Sequence, residues 1–267
     1  ILQADNFLGR MLTGRIEQGV VKAGTTIKAL SRDGELIENF RISKLLAFRG
    51  ISREPVEQAR AGDIITISGM SKATVADTLC DPSVDTPLAS QPIDPPTIAI
   101  TVSVNDSPLA GRDGSKVQSR VIRERLMQEA EGNVAIRVRE TDDKDAFEVA
   151  GRGELQMAVL VETMRREGFE LSISRPRVLF QEVDGQRMEP IEEVVIDLDE
   201  EFSGTVVEKM TLRKAELQDM RPSGIGKQRL TFLAPTRGLT GYFGEFLTDT
   251  RGTGLMNRLF HAYAPHK

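Results

Sequence analysis

Few residues in this 267-residue chain have the types and spacing for covalent chemistry. Two glycine-rich stretches come nearest. Gly111-Arg112-Asp113-Gly114-Ser115-Lys116 precedes an apolar-periodic run, so its amides are placed to meet an anion at a helix start. It lacks the spacing and the Gly-Lys-Ser/Thr of a phosphate loop. The plainer expectation is a helix entry with Ser115 as N-cap. Gly151-Arg152-Gly153-Glu154-Leu155 joins a strand-like run to a helix-like one and reads as a tight turn, with Glu154 favouring the helix dipole. Cys80 is the single cysteine, which excludes an internal disulfide and a cysteine-rich zinc site. His261 and His266 are the only histidines, too few for a His-based metal site or triad. Asp142-Asp143 and Asp199-Glu200-Glu201 read as solvated loops rather than an acid–base pair. No catalytic, cofactor-binding or metal-binding set emerges, so binding is the chemistry left to consider.

The basic residues are the candidates for it. The formal charge of the whole chain is −5, which gives no global nucleic-acid signature. The distribution is uneven, however. Residues 183–201 hold eight acids and one base, and residues 202–267 hold ten bases and five acids. Bases at loop tips and element ends can neutralise phosphates and release counterions. The candidate RNA contacts are Arg213, Lys214, Lys227, Arg237 and Arg251 in the last segment, with Arg112, Lys116 and Arg120 in the middle one. The competing expectation is a solvated face whose charges pair at i,i+4.

Three segments must position these residues. Residues 1–96 show glycines and turn signals at short spacing, with an Asp33-Gly34 hairpin signal, and read as a small β-barrel or sandwich. Pro82, Pro87, Pro92, Pro95 and Pro96 then predict an extended linker. Residues 97–182 alternate at Ile98, Ile100, Val102 and Val104, turn helical from Ser115 to Ala130, alternate again through Val138 and Val149, and turn helical once more at Met157, Leu160, Val161 and Met164. Gly168 is placed to stop that second helix, and Phe169, Leu171 and Ile173 form a last strand. The order is βαββαβ, the ferredoxin-like pattern. Residues 183–267 repeat it less cleanly, with a helix from Gly204 to Lys214, a hairpin tipped by Ser223-Gly224-Ile225-Gly226, and a last strand from Leu255 to Tyr263. The expected fold is therefore multidomain β and α+β: one barrel (1–96) and two ferredoxin-like domains (97–182 and 183–267). No run approaches the ~18 apolar residues of a membrane span, and the N-terminus has no signal-peptide pattern.

At this point the residues resemble a known family. Gly9-Arg10-Met11-Leu12-Thr13-Gly14-Arg15-Ile16, Gly19 to Gly24 and Ala61-Gly62-Asp63-Ile64 resemble the domain-II barrel of translational GTPases. Gly151 to Gln156 is similar to a turn of elongation factor G domain III. Met164-Arg165-Arg166-Glu167-Gly168-Phe169-Glu170-Leu171, Ser174-Arg175-Pro176, Asn105 to Pro108, Asn133 to Arg137 and Arg237-Gly238-Leu239 resemble the TypA/BipA branch, and Arg251-Gly252-Thr253-Gly254 resembles part of domain V. The resemblance implies a central piece of such a GTPase, domains II, III and V, without the GTPase domain and the C-terminal domain; the missing Met start agrees with this. It implies a cytoplasmic, ribosome-associated parent that acts in ribosome assembly and stress adaptation. GTP and Mg would then belong to the parent, while this piece carries no cofactor and is no enzyme. The implied partners are rRNA and ribosomal proteins, with no membrane and no DNA. A LepA- or elongation factor G-type fragment and a protein-interaction scaffold without an RNA role are the alternatives.

Overall fold

A computed structural model describes residues 1–5 and 7–266. By compactness the chain forms two units, Ile1–Ile93 with Lys116–Val138, and Asp94–Ser115 with Arg139–Lys267.

The first unit is built from short strands because turn glycines interrupt the apolar runs. In order they are β1 (Leu2–Asp5), β2 (Gly9–Arg15), β3 (Val20–Lys22), β4 (Thr26–Leu30), β5 (Leu36–Arg41), β6 (Lys44–Arg49), β7 (Ser52–Pro55), β8 (Gln58–Arg60), β9 (Ile64–Ser68) and β10 (Thr78–Cys80). They pair as β1-β2-β9-β6-β7, β10-β4-β5 and β3-β8. Ile27, Phe40, Ile42, Leu45, Ile65 and Ile67 fill the core between them. The proline-rich stretch after β10 has no regular structure, as expected of it, but it is strapped to the barrel rather than free. The Leu88 amide donates to Thr78 Oγ1 at 2.9 Å, Ser90 Oγ donates to the Ala76 carbonyl at 3.0 Å, and Lys28 Nζ reaches Asp85 at 2.6 Å.

Next come β11 (Ile98–Val104), α1 (Ser119–Gly132), β12 (Arg137–Glu140), β13 (Ala146–Gly151), α2 (Glu154–Arg166), β14 (Leu171–Ile173), β15 (Arg177–Val178) and β16 (Gln181–Val183). One sheet runs β12-β13-β11-β14, with β15 also on β11. α1 lies in the first unit, where it meets β1 and buries Ile122 and Leu126. It begins at Ser119, after Gln118, not at Ser115. Ser115 is therefore no N-cap, and Lys116 stands outside the helix. α2 buries Met157, Leu160 and Met164 and ends as expected at Gly168. There φ is +88°, the Gly168 amide donates to the Arg165 carbonyl and the Phe169 amide to that of Met164, the paired bonds of a Schellman cap that favours glycine.

The last elements are β17 (Gln186–Asp199), a 3-10 turn (Glu200–Phe202), α3 (Ser203–Leu212), β18 (Glu216–Gly224), β19 (Lys227–Pro235), α4 (Thr236–Leu239), α5 (Tyr242–Asp249) and β20 (Leu255–Pro265). The strand order is β16-β17-β19-β18, with β20 on the other side of β17. Strict alternation along β17 puts Val194, Ile196 and Leu198 in a core closed by Phe232 of β19, Val206 and Met210 of α3, and Tyr242 and Phe246 of α5.

Candidate nucleic-acid interface

The glycine-rich loop before α1 does gather its amides around an anion, and the anion is the chain's own. The Glu170 carboxylate accepts from the amides of Gly111 (3.0 Å), Asp113 (3.2 Å) and Gly114 (3.1 Å), and from Asn105 Nδ2 (2.5 Å). The Asn105 bond first, and then the amides, hold this carboxyl below the usual glutamate range despite some burial. The loop is an anion nest with its seat taken. Arg112 projects from it, exposed, and has no ion pair or hydrogen bond among the described residues. Lys116 is exposed just beyond, and Arg120 in the first turn of α1 faces Glu124 at 3.6 Å.

The charge contrast of the last segment resolves into pairs across strands. Register sets Asp197 of β17 opposite Arg229 of β19, and Asp199 opposite Lys227. Arg229 grips Asp197 with two 2.8 Å bonds, Lys227 lies 3.3 Å from Asp199, and Arg258 of β20 grips Glu192 at 2.8 and 2.9 Å. Arg237 donates to the buried Glu189 at 2.6 Å, which His266 Nδ1 also approaches at 3.2 Å. Arg213 is an internal strut. It donates to the Gly238 carbonyl (2.9 Å), reaches Glu245 (2.9 Å) and lies over the Tyr242 ring (4.8 Å). Position 238 must be glycine, since a Cβ there would come within 2.2 Å of the Arg213 carbonyl oxygen. Lys209 completes the link between α3 and α5, at 2.7 Å from Glu245 and 2.8 Å from Asp249, bonds that raise its own pKa. Arg213 and Arg237 therefore spend their charge inside the fold, whereas Lys227 is exposed and pairs with Asp199 at the surface.

Lys214 and Arg251 differ from these. Each follows a helix end in the left-handed region, with φ of +69° and +51°. After α3 the Lys214 amide donates to Thr211 and the Ala215 amide to Met210; after α5 the Arg251 amide donates to Thr248 and the Gly252 amide to Leu247. Both are Schellman caps with a cation where glycine is the usual choice. Lys214 is exposed and without an ion pair among the described residues, and Arg251 is exposed and lies 5.5 Å from the Phe202 ring centre. Lys214 also lines a cavity of about 470 Å³ with Arg237, His261, Ile191, Leu233 and Pro265. The structure thus brings Lys214 and Arg237 to one cleft. Arg112 lies in the second unit, and Lys116 and Arg120 lie in the first.

Cys80 is half-buried on β10, and burial pushes its thiol up. Among the described residues no group of three His, Cys, Asp or Glu side chains comes together to hold a metal, and no helix is long and apolar enough to cross a membrane. One cluster was missed in the sequence: Arg49 and Arg53 flank the β6–β7 turn. The signal was present, an Arg-Gly-Ile-Ser-Arg run between two strand-like stretches.

Residues 9–80 match elongation factor Tu domain 2, and residues 186–267 match the elongation factor G C-terminus. Both are translation-factor domains, and they fit a β and α+β multidomain fold. Across nearly its full length the chain is similar to proteins named large ribosomal subunit assembly factor BipA. The Bacillus subtilis protein is 43% identical over 265 residues, 99% of this chain and 43% of that protein. The Salmonella typhimurium protein is 43% identical over 98% of this chain and 43% of its own length, and the Synechocystis protein 43% identical over 99% and 44%. Over this stretch the chain is similar to TypA/BipA proteins, and it spans less than half the length of these curated relatives.

Proposed function

We propose that the chain is the ribosome-contacting portion of an assembly factor of the large ribosomal subunit, working in the cytoplasm in ribosome assembly and stress adaptation. The observation that carries this is the 43% identity over 99% of the chain to a relative of that name. In this reading the barrel ends near residue 96, and two ferredoxin-like domains divide near residue 183. The strand orders β12-β13-β11-β14 and β18-β19-β17-β20 support that division. GTP hydrolysis and Mg binding belong to the whole protein, outside this stretch. rRNA and ribosomal proteins are the partners.

Within the candidate set, the geometry favours Lys214, Arg251 and Arg112, whose charges the fold does not consume. A left-handed cation costs roughly 1–2 kcal/mol relative to a relaxed backbone, and strain of this kind concentrates at functional positions. Sedimentation of the chain with purified ribosomal subunits across a potassium chloride series tests the reading. The expected result is binding that weakens as salt rises, with a further loss in Lys214→Glu and Arg251→Glu. Failure of the chain to co-sediment at low salt would refute the ribosome assignment. Unchanged binding in both variants would refute the two residues alone. Tight, Mg-dependent binding of labelled GTP would overturn the domain reading.

A further inference from the structure

Two backbone irregularities meet at the cavity beside Lys214. The cavity lies wholly within the second unit, and its volume of about 470 Å³ falls within the ~300–1,000 Å³ of small-molecule sites. Strand register makes its floor apolar. Ile191 of β17 stands opposite Pro235 of β19 and Ala262 of β20, and residues paired in this way share a face of the sheet. Leu233, two residues before Pro235, lies on that same face. The rim is polar. β20 bulges here: Ala262 pairs with Ile191 and Phe260 with Glu192, which leaves His261 as the extra residue, and His261 lines the cavity. A bulge re-aims the side chain it carries, and bulges gather beside functional sites. Lys214 is the second irregularity, a left-handed lysine where glycine would be relaxed. It is exposed and has no ion pair among the described residues, although Glu216 also lines the wall. Arg237, the other cation of the wall, is neutralised by Glu189, which His266 also approaches.

We propose that this cavity binds a small amphipathic monocarboxylate, an apolar body carrying one carboxylate. The apolar body lies on Ile191, Leu233, Pro235 and Ala262. The carboxylate takes an ion pair from Lys214 and a hydrogen bond from a ring N–H of His261, which imidazole offers in either charge state. Charge selects the head group: one unneutralised cation and one ring donor match a single negative charge spread over two oxygens. A phosphate monoester, with nearly two charges, would leave one uncompensated. The floor selects the body, because a bare inorganic anion would cover none of the apolar surface there and gain nothing from it. This binding goes beyond contact with the ribosome and does not depend on it.

The test titrates the wild-type chain with decanoate, below the concentration at which it forms micelles, and with the uncharged decanol, by isothermal calorimetry. Lys214→Gln, His261→Phe and Ala262→Phe are titrated alongside, with matched thermal melts as the control for folding. Decanoate is expected to bind the wild type saturably at sub-millimolar concentration. Lys214→Gln should weaken it on the order of tenfold, through loss of a charge-assisted bond, and His261→Phe about fivefold. Decanol should bind about tenfold more weakly than decanoate, and equally to the wild type and Lys214→Gln. Ala262→Phe fills the floor and should abolish binding of both; if that variant melts early, the decanoate–decanol comparison on Lys214→Gln decides instead. Absence of saturable decanoate binding would refute the site, and a peptide ending in leucine that bound in its place would reassign the cleft to a protein tail. Decanol binding as tightly as decanoate, or decanoate binding unmoved by Lys214→Gln, would refute the carboxylate seat. The titrations contain no ribosomes, so each of these results leaves the ribosome reading where it stands.

Discussion

Single carboxylates organise much of this chain by occupying amides that a loop would otherwise expose. Glu38 accepts from the amides of Ser71, Lys72 and Ala73 and from the Ser71 hydroxyl. Burial raises its pKa, but these bonds outweigh burial and hold it at about 2, against 4.5 for an ordinary glutamate. A pKa depressed by folding stabilises the fold above the unfolded value, and that stability is lost as pH falls. Urea unfolding midpoints of the wild type should therefore decline from about pH 4.5 towards about pH 2 through this group, and the Glu38→Gln variant should lack that component. Glu170 plays the same part in the loop before α1. In Glu170→Gln the amides of Gly111, Asp113 and Gly114 should exchange hydrogen faster, which amide exchange read residue by residue would detect. Tyr242 is the opposite case. Its hydroxyl is buried without a hydrogen-bond partner among the described residues, and burial pushes it up to about 12. Tyr242→Phe should leave stability unchanged or raise it by up to about 1 kcal/mol, because an unsatisfied group is removed.

At the scale of elements, the helix ends of the last segment set stability against function. Lys214→Gly and Arg251→Gly should each stabilise by about 1 kcal/mol in urea titrations, since glycine adopts a left-handed backbone freely. The same variants should bind ribosomes more weakly if these cations reach RNA; a variant that gained stability and kept full binding would mark its cap as structural. Much at this scale was legible in the sequence. Alternation located β11 and β17, Asp33-Gly34 located a turn, and Gly168 located the end of α2, because each is a local signal. The start of α1 was not legible. Ser115 has the chemistry of an N-cap, but Glu170, far along the chain, claims the amides just before it. The ion pairs of β17 were hidden for a related reason. Acids and bases in separate stretches read as a charge contrast until register sets them face to face. Two of the bases picked from loop positions, Arg213 and Arg237, are internal supports by the same logic.

At the scale of the molecule, the barrel core and the core of the last segment have no buried side chain in common among the described residues. Phe232→Ala should cost about 3–5 kcal/mol and Ile42→Ala about 2–5 kcal/mol, both being almost wholly buried. Because the two share no partners, the double variant should equal their sum within about 0.5 kcal/mol; a clear excess or shortfall in urea unfolding would expose a coupling between them. The facing charges of β17 carry a consequence for how such chains diverge. Asp197 with Arg229, Asp199 with Lys227, Glu192 with Arg258 and Glu189 with Arg237 are each an ion pair, the last shared with His266. One member can change only at the expense of the other, so drift at these positions should run in couples. Across many relatives, 197 with 229 and 189 with 237 should covary, swapping sign together or turning neutral together, while Lys214 and Arg251, bound to no acid among the described residues, vary on their own.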